Sequence, residues 1–375
     1  MVRLSVAQLL PALNGGGVER GTLEVARELV RRGHRSMVIS ADGRLAPELL
    51  RDGSEHLAWP LGVKSPLTLR WVWPLRRWLT EQRIHILHAR SRLPAWIGWL
   101  AWRGMNPVTR PRFITTVHGL YSISRYSAIM TRSERVIAVS ETVREYLQRH
   151  YPELPTTRIQ VIQRGVDPAA FPYNYRPSAE WLANWHQRYP QLRDAPVLTL
   201  PGRLSRLKGH EDFINLIARL RMHGSSVRGL IVGGVEPHRQ RYADQLRRMV
   251  QAKGLNEVIL FTGHRSDMRE IYAVSALVLS LSAQPESFGR TVLEALSLGT
   301  PVIGYDHGGV GEVLARIYPA GLAPFNDPDA LTARVIALLT AAPPVPSEPI
   351  FPLQRMLDET LALYESLHQA PRNLA

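Results

Sequence analysis

The chain has 375 residues, no cysteine, and 46 Lys and Arg against 32 Asp and Glu, a net charge of +14. That length suits roughly two domains, and a 45% hydrophobic fraction is enough for a full core. The absence of thiols excludes disulfides, thiolate metal sites and a cysteine nucleophile, and fits a reducing compartment. No run of about 18 apolar residues occurs and no leader precedes the first strand-like run, so the expected location is the cytoplasm or its membrane face. The charge is uneven. Residues 1–168 hold 25 Lys and Arg against 13 Asp and Glu, and seven of the nine tryptophans. A basic, Trp-rich half suits nucleic acid, an anionic membrane surface or a phosphorylated acceptor.

In chain order, Leu4–Leu10 reads as a buried strand, Pro11–Gly17 as a glycine loop and Val18–Arg31 as a helix. Further strand runs follow at Ser36–Ser40, Ile84–His88, Phe113–Val117, Arg135–Val139 and Ile159–Ile162, with helical segments between them. Asp167–Pro177, rich in proline and aromatics and without period, reads as an interdomain connection. A second series then begins with strands Val197–Pro201, Gly229–Val232, Val258–Phe261, Leu277–Leu281 and Val302–Tyr305. Its helices include Glu211–Met222, Arg239–Lys253 and Arg269–Val274. After the proline-rich linker Ala342–Pro349 comes a last helix, Leu353–Gln369. Alternating strands and helices predict an α/β fold of two doubly wound parallel-sheet, Rossmann-like domains facing across a cleft. The expected division is 1–168, 178–350, and a C-terminal helix in 351–375 that crosses back to the first domain.

In doubly wound sheets ligands bind beyond the carboxyl ends of the strands, and the unusual residue clusters fall there. Gln284–Ala295 joins strand Leu277–Leu281 to a predicted helix Thr291–Leu298. Gly289 precedes the helix start, so Ser287, Phe288, Gly289 and Arg290 surround unpaired N–H groups and a positive dipole end suited to phosphate. Glu294, one turn inside, reaches hydroxyls beside that phosphate, and Glu286 faces the far end of the same ligand. Phosphate flanked by hydroxyls describes a nucleotide-sugar. In Gly202-Arg203-Leu204-Ser205-Arg206-Leu207-Lys208-Gly209, Arg203 and Lys208 reach toward one anion, Arg as a fork and Lys as a point charge. The loop lacks P-loop spacing.

The first strand leads into Asn14-Gly15-Gly16-Gly17-Val18-Glu19-Arg20, where Gly16 and Gly17 let backbone approach a ligand. It is not the dinucleotide G-x-G-x-x-G, and Asp42 is only the nearest candidate for the acidic partner. His118-Gly119 ends strand Phe113–Val117 and offers a ligand or proton partner. Ser140 reads as a helix N-cap. Gly233-Gly234, Gly263-His264-Arg265 and Asp306–Glu312 end later strands in the same way. Trp71–Leu79 and Ala95–Arg103 mix tryptophan with arginine, which suits either a lipid headgroup surface or outer helices packed on a sheet.

Gly16-Gly17-Val18-Glu19-Arg20, Gly202-Arg203 with Lys208-Gly209, and Glu286 with Glu294 together resemble the GT4 family of retaining glycosyltransferases of GT-B fold. Gly299-Thr300-Pro301-Val302-Ile303 and Gly308-Gly309 with Glu312 extend the resemblance over nearly the whole chain. It implies Arg203 and Lys208 on the donor diphosphate, Glu294 on ribose, Glu286 on the transferred sugar, and backbone near Phe288–Arg290 on phosphate. It further implies His118 near the reacting centre, Gly16 and Gly17 approaching the nucleotide from the other domain, and Arg265 near the base. Arg164-Gly165-Val166-Asp167 stands where the family commonly has Asn-Gly-Val-Asp.

The expectation is therefore metal-independent, retaining transfer of a hexose-type sugar from a nucleotide-diphosphate-sugar, UDP-sugar favoured, to a lipid-linked or saccharide acceptor such as lipopolysaccharide core. No cofactor is expected beyond the co-substrate. The acceptor is expected to be anionic, with docking on the inner leaflet of a membrane. The alternatives are a nucleotide-sugar epimerase and a basic nucleic-acid-binding protein. The latter lacks RNP aromatics, zinc spacing and a helix-turn-helix, so nucleic acid is not the expected partner.

Overall fold

The computed structural model describes residues 3–236 and 239–372. The chain divides into two compact units, Met1–Arg164 with Gln354–Ala375, and Gly165–Leu353.

The first unit runs β1 (Ser5–Ala12), α1 (Gly17–Arg31), β2 (Arg35–Ala41), α2 (Ala46–Arg51), β3 (Glu55–Ala58), α3 (Val72–Glu81), β4 (Ile86–Ala89), α4 (Arg92–Arg103), β5 (Arg112–Val117), β6 (Arg135–Ala138), α5 (Glu141–His150) and β7 (Ile159–Val161). Its parallel sheet has the order β3-β2-β1-β4-β5-β6-β7. β4 and β5 are buried along their whole length, β1 and β2 along all but their ends. Strands covered on both faces give continuous apolar runs, which is why the sequence shows them. β3 has no such run, because it is a short edge strand without a buried residue.

The second unit runs α6 (Ala179–Arg188), β8 (Val197–Pro201), α7 (His210–Met222), β9 (Arg228–Val232), α8 (Gln240–Ala252), β10 (Ile259–Gly263), α9 (Met268–Ala273), β11 (Leu277–Ser280), α10 (Arg290–Ser297), β12 (Val302–Tyr305), α11 (Gly308–Ile317), β13 (Leu322–Ala323) and α12 (Pro328–Ala341). Its parallel sheet has the order β10-β9-β8-β11-β12-β13. The two-residue β13 is too short to leave a sequence signal. Asp167–Pro177 is tied to this unit. Tyr175 Oη donates to Glu270 at 3.0 Å, Tyr173 Oη to the Val345 carbonyl at 2.9 Å, and Ser297 Oγ to the Phe171 carbonyl at 2.9 Å.

The last helix, α13 (Leu353–Gln369), belongs from Gln354 onward to the first unit. It buries Met356, Leu357, Leu361, Leu363, Tyr364 and Leu367 there. Gln354 donates to Glu28 at 3.1 Å, and Arg32 pairs with Asp358.

Both sheets are doubly wound, so each has a point where the strand order reverses. It lies between β1 and β4 in one unit and between β8 and β11 in the other. Chain leaving two such strands diverges to opposite faces and opens a crevice at their carboxyl ends.

Candidate active site

In the second unit the crevice is walled by the loops after β8 and β11. Glycine fixes both. Gly209 has φ 69°, and a Cβ there would lie 1.7 Å from the Leu281 carbonyl oxygen, so only glycine lets the β8 loop lie against β11. Gly309 donates its N–H to the Glu286 carbonyl at 2.7 Å. A Cβ on Gly309 would come within 2.4 Å of Phe288 Cα.

These approaches set Lys208 Nζ 2.7 Å from Glu286 Oε1. Ser282 Oγ also donates to Glu286 Oε1, and His307 Nε2 lies 2.8 Å from the Ser282 carbonyl. Burial opposes ionisation of Glu286. The charge and hydrogen bond of Lys208, the Ser282 hydroxyl and His307 outweigh it and hold the carboxyl below its usual range. Behind the loop, His210 is fully buried with Nδ1 3.2 Å from the Ser205 carbonyl. Burial, opposed by bonds to the Ser205 and Gly202 carbonyls, lowers its pKa to about 4. It is therefore a neutral anchor for the Arg203–Lys208 loop.

Gly289 caps α10 with φ 90°, and Ser287, Phe288 and Arg290 flank this helix start. Glu294 accepts from Arg290 Nε at 3.0 Å and from the buried Tyr272 hydroxyl. The carboxylate that the resemblance assigns to ribose is thus oriented from two sides. Arg203 behaves differently. Its side chain is 73% exposed and pairs with Glu236 at 2.7 Å. Arg203 and Lys208, expected on one anion, are thus held on two different carboxylates. An exposed pair of this kind contributes little to stability. Arg265 forks onto Asp267, with Nε at 2.8 Å, and lies 5.6 Å from the Trp185 ring centre. It follows the edge strand β10, two strands from β8, and is not brought into contact with the Lys208–Glu286 cluster.

The first unit places its residues at its own reversal. Gly16 caps α1 in extended backbone and Gly17 begins the helix. A Cβ on Gly17 would meet only Arg164 at an ordinary 3.8 Å, and one on Gly16 only the movable Glu19 carboxylate. Packing within this unit does not require either glycine. His118 follows β5 and is partly buried. Burial first, then the charges of Arg164 and Arg90 and the His88 ring, push its pKa well below the usual value. It is a neutral imidazole.

The residues behind this wall were not singled out from sequence as site residues. Arg90, 3% exposed, follows β4, and its Nε donates to Gln8 Oε1 at 2.7 Å. Arg164 donates to the Gly17 carbonyl, and a Cβ on Gly21 would lie 2.1 Å from its Nη1. His88 Nδ1 lies 2.6 Å from Tyr364 Oη, and His88 Nε2 lies 2.6 Å from Thr116 Oγ1. Ser140 Oγ caps α5 by accepting from the Val143 N–H at 3.1 Å, as expected. Among the described residues no group of three or more His, Cys, Asp or Glu side chains is disposed to hold a metal ion, and no helix is long and apolar enough to cross a membrane.

Comparison with known proteins bears on the family and the fold. Residues 15–170 match the model of Glycosyltransferase Family 4, and residues 183–347 match that of Glycosyl transferases group 1. A lipopolysaccharide core biosynthesis mannosyltransferase of Rhizobium leguminosarum bv. viciae is 28% identical over 311 residues, covering 82% of this chain and 84% of that one. A D-inositol 3-phosphate glycosyltransferase of Rhodococcus opacus (strain B4) is 27% identical over 263 residues, 64% of this chain, and the match spans about half, 55%, of that protein's length. A crystal structure of a glycosyltransferase from Rickettsia africae ESF-5 superposes with a TM-score of 0.84 at 27% identity, over 98% of this chain and 100% of that one. An Anabaena protein solved in complex with UDP-glucose shares the fold, with a TM-score of 0.80 at 20% identity over 97% of this chain and all of that one. The two family models together span most of both units, and the chain belongs to the GT4 glycosyltransferases, two Rossmann-like domains of GT-B fold.

Proposed function

We propose that this glycosyltransferase moves a hexose-type sugar from a nucleoside-diphosphate-sugar, UDP-sugar favoured, to a lipid-linked or saccharide acceptor such as lipopolysaccharide core, with retention and without a metal. The observation that carries the donor assignment is the oriented pair of carboxylates around the α10 start. Glu286 is held ionised by Lys208, and Glu294 is held by Arg290 and Tyr272. The ligand that fits has hydroxyls at both ends and phosphate between. A UDP-sugar bound to an Anabaena protein of the same fold supports the donor class. The lipopolysaccharide-related relative supports the acceptor class.

Lys208 and Arg203, with the α10 N–H groups, stabilise charge on the departing diphosphate. The bond from the anomeric carbon to phosphate oxygen breaks, and its electron pair stays on the nucleotide. The acceptor hydroxyl bonds to that carbon from the same face, and its proton goes to the departing oxygen. Glu286 orients the sugar hydroxyls, and neutral His118 offers a hydrogen bond without adding charge. Transfer from UDP-hexoses to purified lipopolysaccharide core, with the anomeric configuration of the product read by NMR coupling, tests this. An inverted product would contradict the mechanism. Conversion of the donor without any acceptor would revive the epimerase reading, to which the family assignment gives no support.

An inner-leaflet location rests on a separate feature. Leu67 and Trp73 are 72% and 71% exposed, and Arg70, Arg76 and Arg77 lie beside them. Projecting apolar side chains among arginines suit an anionic headgroup layer on the cytoplasmic face.

A further inference from the structure

Helix α4 carries a stripe that no part of the donor chemistry uses. Arg92, Trp96, Trp99 and Arg103 recur at intervals of four, three and four, which aligns side chains along one helix face. Pro94, Ala95, Ile97, Gly98 and Ala101 are buried on the other face, so the stripe points outward. It starts at the carboxyl end of β4, beside the reversal of the sheet, and runs ~18 Å along the helix.

Along it, guanidiniums and rings alternate. The Arg92 guanidinium lies 4.7 Å from the Tyr121 ring centre and 5.3 Å from that of Tyr126, both in the loop after His118. Trp96 Nε1 donates to the Tyr126 carbonyl at 3.0 Å. Arg132 lies 5.9 Å from Trp96 and 5.0 Å from Trp99, and Arg103 lies 5.2 Å from Trp99. Residues 82–133 contain eight arginines and no Asp or Glu. Among the described residues, Arg92, Arg103 and Arg132 meet aromatic rings rather than carboxylates.

Rings and guanidiniums in alternation fit one kind of partner well. The C–H face of a sugar packs on an aromatic ring, and its carboxylate or phosphate takes a guanidinium fork. A headgroup layer asks for projecting apolar side chains, and those stand elsewhere, at Leu67 and Trp73. Resting on the glycosyltransferase reading for the direction of the acceptor, we propose that the α4 stripe is a track for an extended anionic oligosaccharide, the part of the acceptor that leads away from the reacting hydroxyl.

Calorimetry at low salt, where charge contacts are least screened, tests it with four probes. They are an oligogalacturonate hexamer, a mannose-6-phosphate-bearing pentasaccharide, neutral maltohexaose and phosphatidylglycerol vesicles. The wild-type chain should bind at least one charged saccharide, and which one it prefers separates carboxylate from phosphate. Arg103→Ser/Arg132→Ser, both on the exposed edge, should weaken that binding roughly tenfold. Trp99→Leu should weaken it as well, and the thermal shift given by UDP-glucose should be unchanged in both variants. Equal binding of maltohexaose, or undiminished binding by the variants, would overturn the track. So would failure of both charged saccharides while the variants lose vesicle binding, which would make the stripe a membrane contact. A wild-type chain that takes the saccharide but shows no shift with any nucleotide-sugar would sink the proposed donor assignment and leave the saccharide track standing.

Discussion

Lys208 Nζ and Glu286 Oε1 lie 2.7 Å apart although 78 residues separate them in sequence. The contact bridges the loops after β8 and β11, and it makes each residue's chemistry depend on the other. Glu286 titrates below the usual carboxylate range, so its charge is present above that range and lost as pH falls through the folded value. In Lys208→Met the main influence favouring ionisation is gone while burial remains. The folded value should move up, and loss of donor affinity should set in at higher pH than in wild type. The rate of transfer should also fall by roughly 10²–10³ for want of a cation on the leaving group. Kinetics and donor binding between pH 5 and 8 read both effects.

His210 links stability to acid. Its folded pKa, about 4, lies below the ordinary histidine value of 6.5. A histidine depressed in this way contributes stability above its unfolded pKa, and that stability declines as pH falls from about 6.5 toward the folded value. The size is about 3 kcal/mol. Thermal denaturation should show a falling Tm below pH 6.5. His210→Asn should flatten that slope and lower Tm at pH 7.5, because the Arg203–Lys208 loop loses its anchor.

Gly309→Ala separates geometry from charge. The added methyl meets the backbone of Ser287 and Phe288, which cannot rotate away as a side chain would. The Glu286 loop must move. Donor affinity should drop at least tenfold, by analogy with other displaced positioning groups, while the circular dichroism spectrum stays that of wild type.

Tyr364→Phe removes one oxygen from the C-terminal helix. It deprives His88 of a partner in a fully buried setting and Arg90 of a hydrogen bond. A cost of about 1–3 kcal/mol in urea denaturation is expected. Ala at the half-exposed Glu359, whose i,i+4 pair with Arg355 lies at the surface, should change stability by less than about 0.5 kcal/mol.

The exposed Leu67–Trp73 segment predicts sedimentation with anionic vesicles that weakens as salt rises. Trp73→Ala/Arg77→Ala should abolish it without changing transfer to a soluble acceptor. Binding that persists in the double variant would place the membrane contact elsewhere.

The fold was largely legible because buried parallel strands are short apolar runs and the glycines that end them are local. Ile86–Ala89 and Leu277–Ser280 show themselves in this way. β3 and β13 do not, being brief edge strands whose pairing depends on neighbours already in place. The strand-end motifs exposed Gly209, Glu286 and Glu294 for the same local reason. The contacts behind the first unit's strand ends were not legible. Arg90 meets Gln8 across 82 positions, and His88 meets Tyr364 across 276. No spacing rule reaches so far. The pairing of Arg203 with Glu236 and of Arg265 with Asp267 was hidden for a different reason. A basic residue in a loop does not announce which acid holds it before a ligand does.

The central claim is that α10 and the loop before it hold a nucleoside-diphosphate-sugar. Isothermal titration of the chain with UDP-glucose, UDP-galactose and GDP-mannose tests this most directly, alongside Glu294→Gln, which keeps the side chain's shape and removes its charge. Saturable binding of one donor is predicted, weakened at least tenfold in Glu294→Gln by loss of a charge-assisted bond to ribose. Absence of binding for every donor, or equal affinity in the variant, would contradict it.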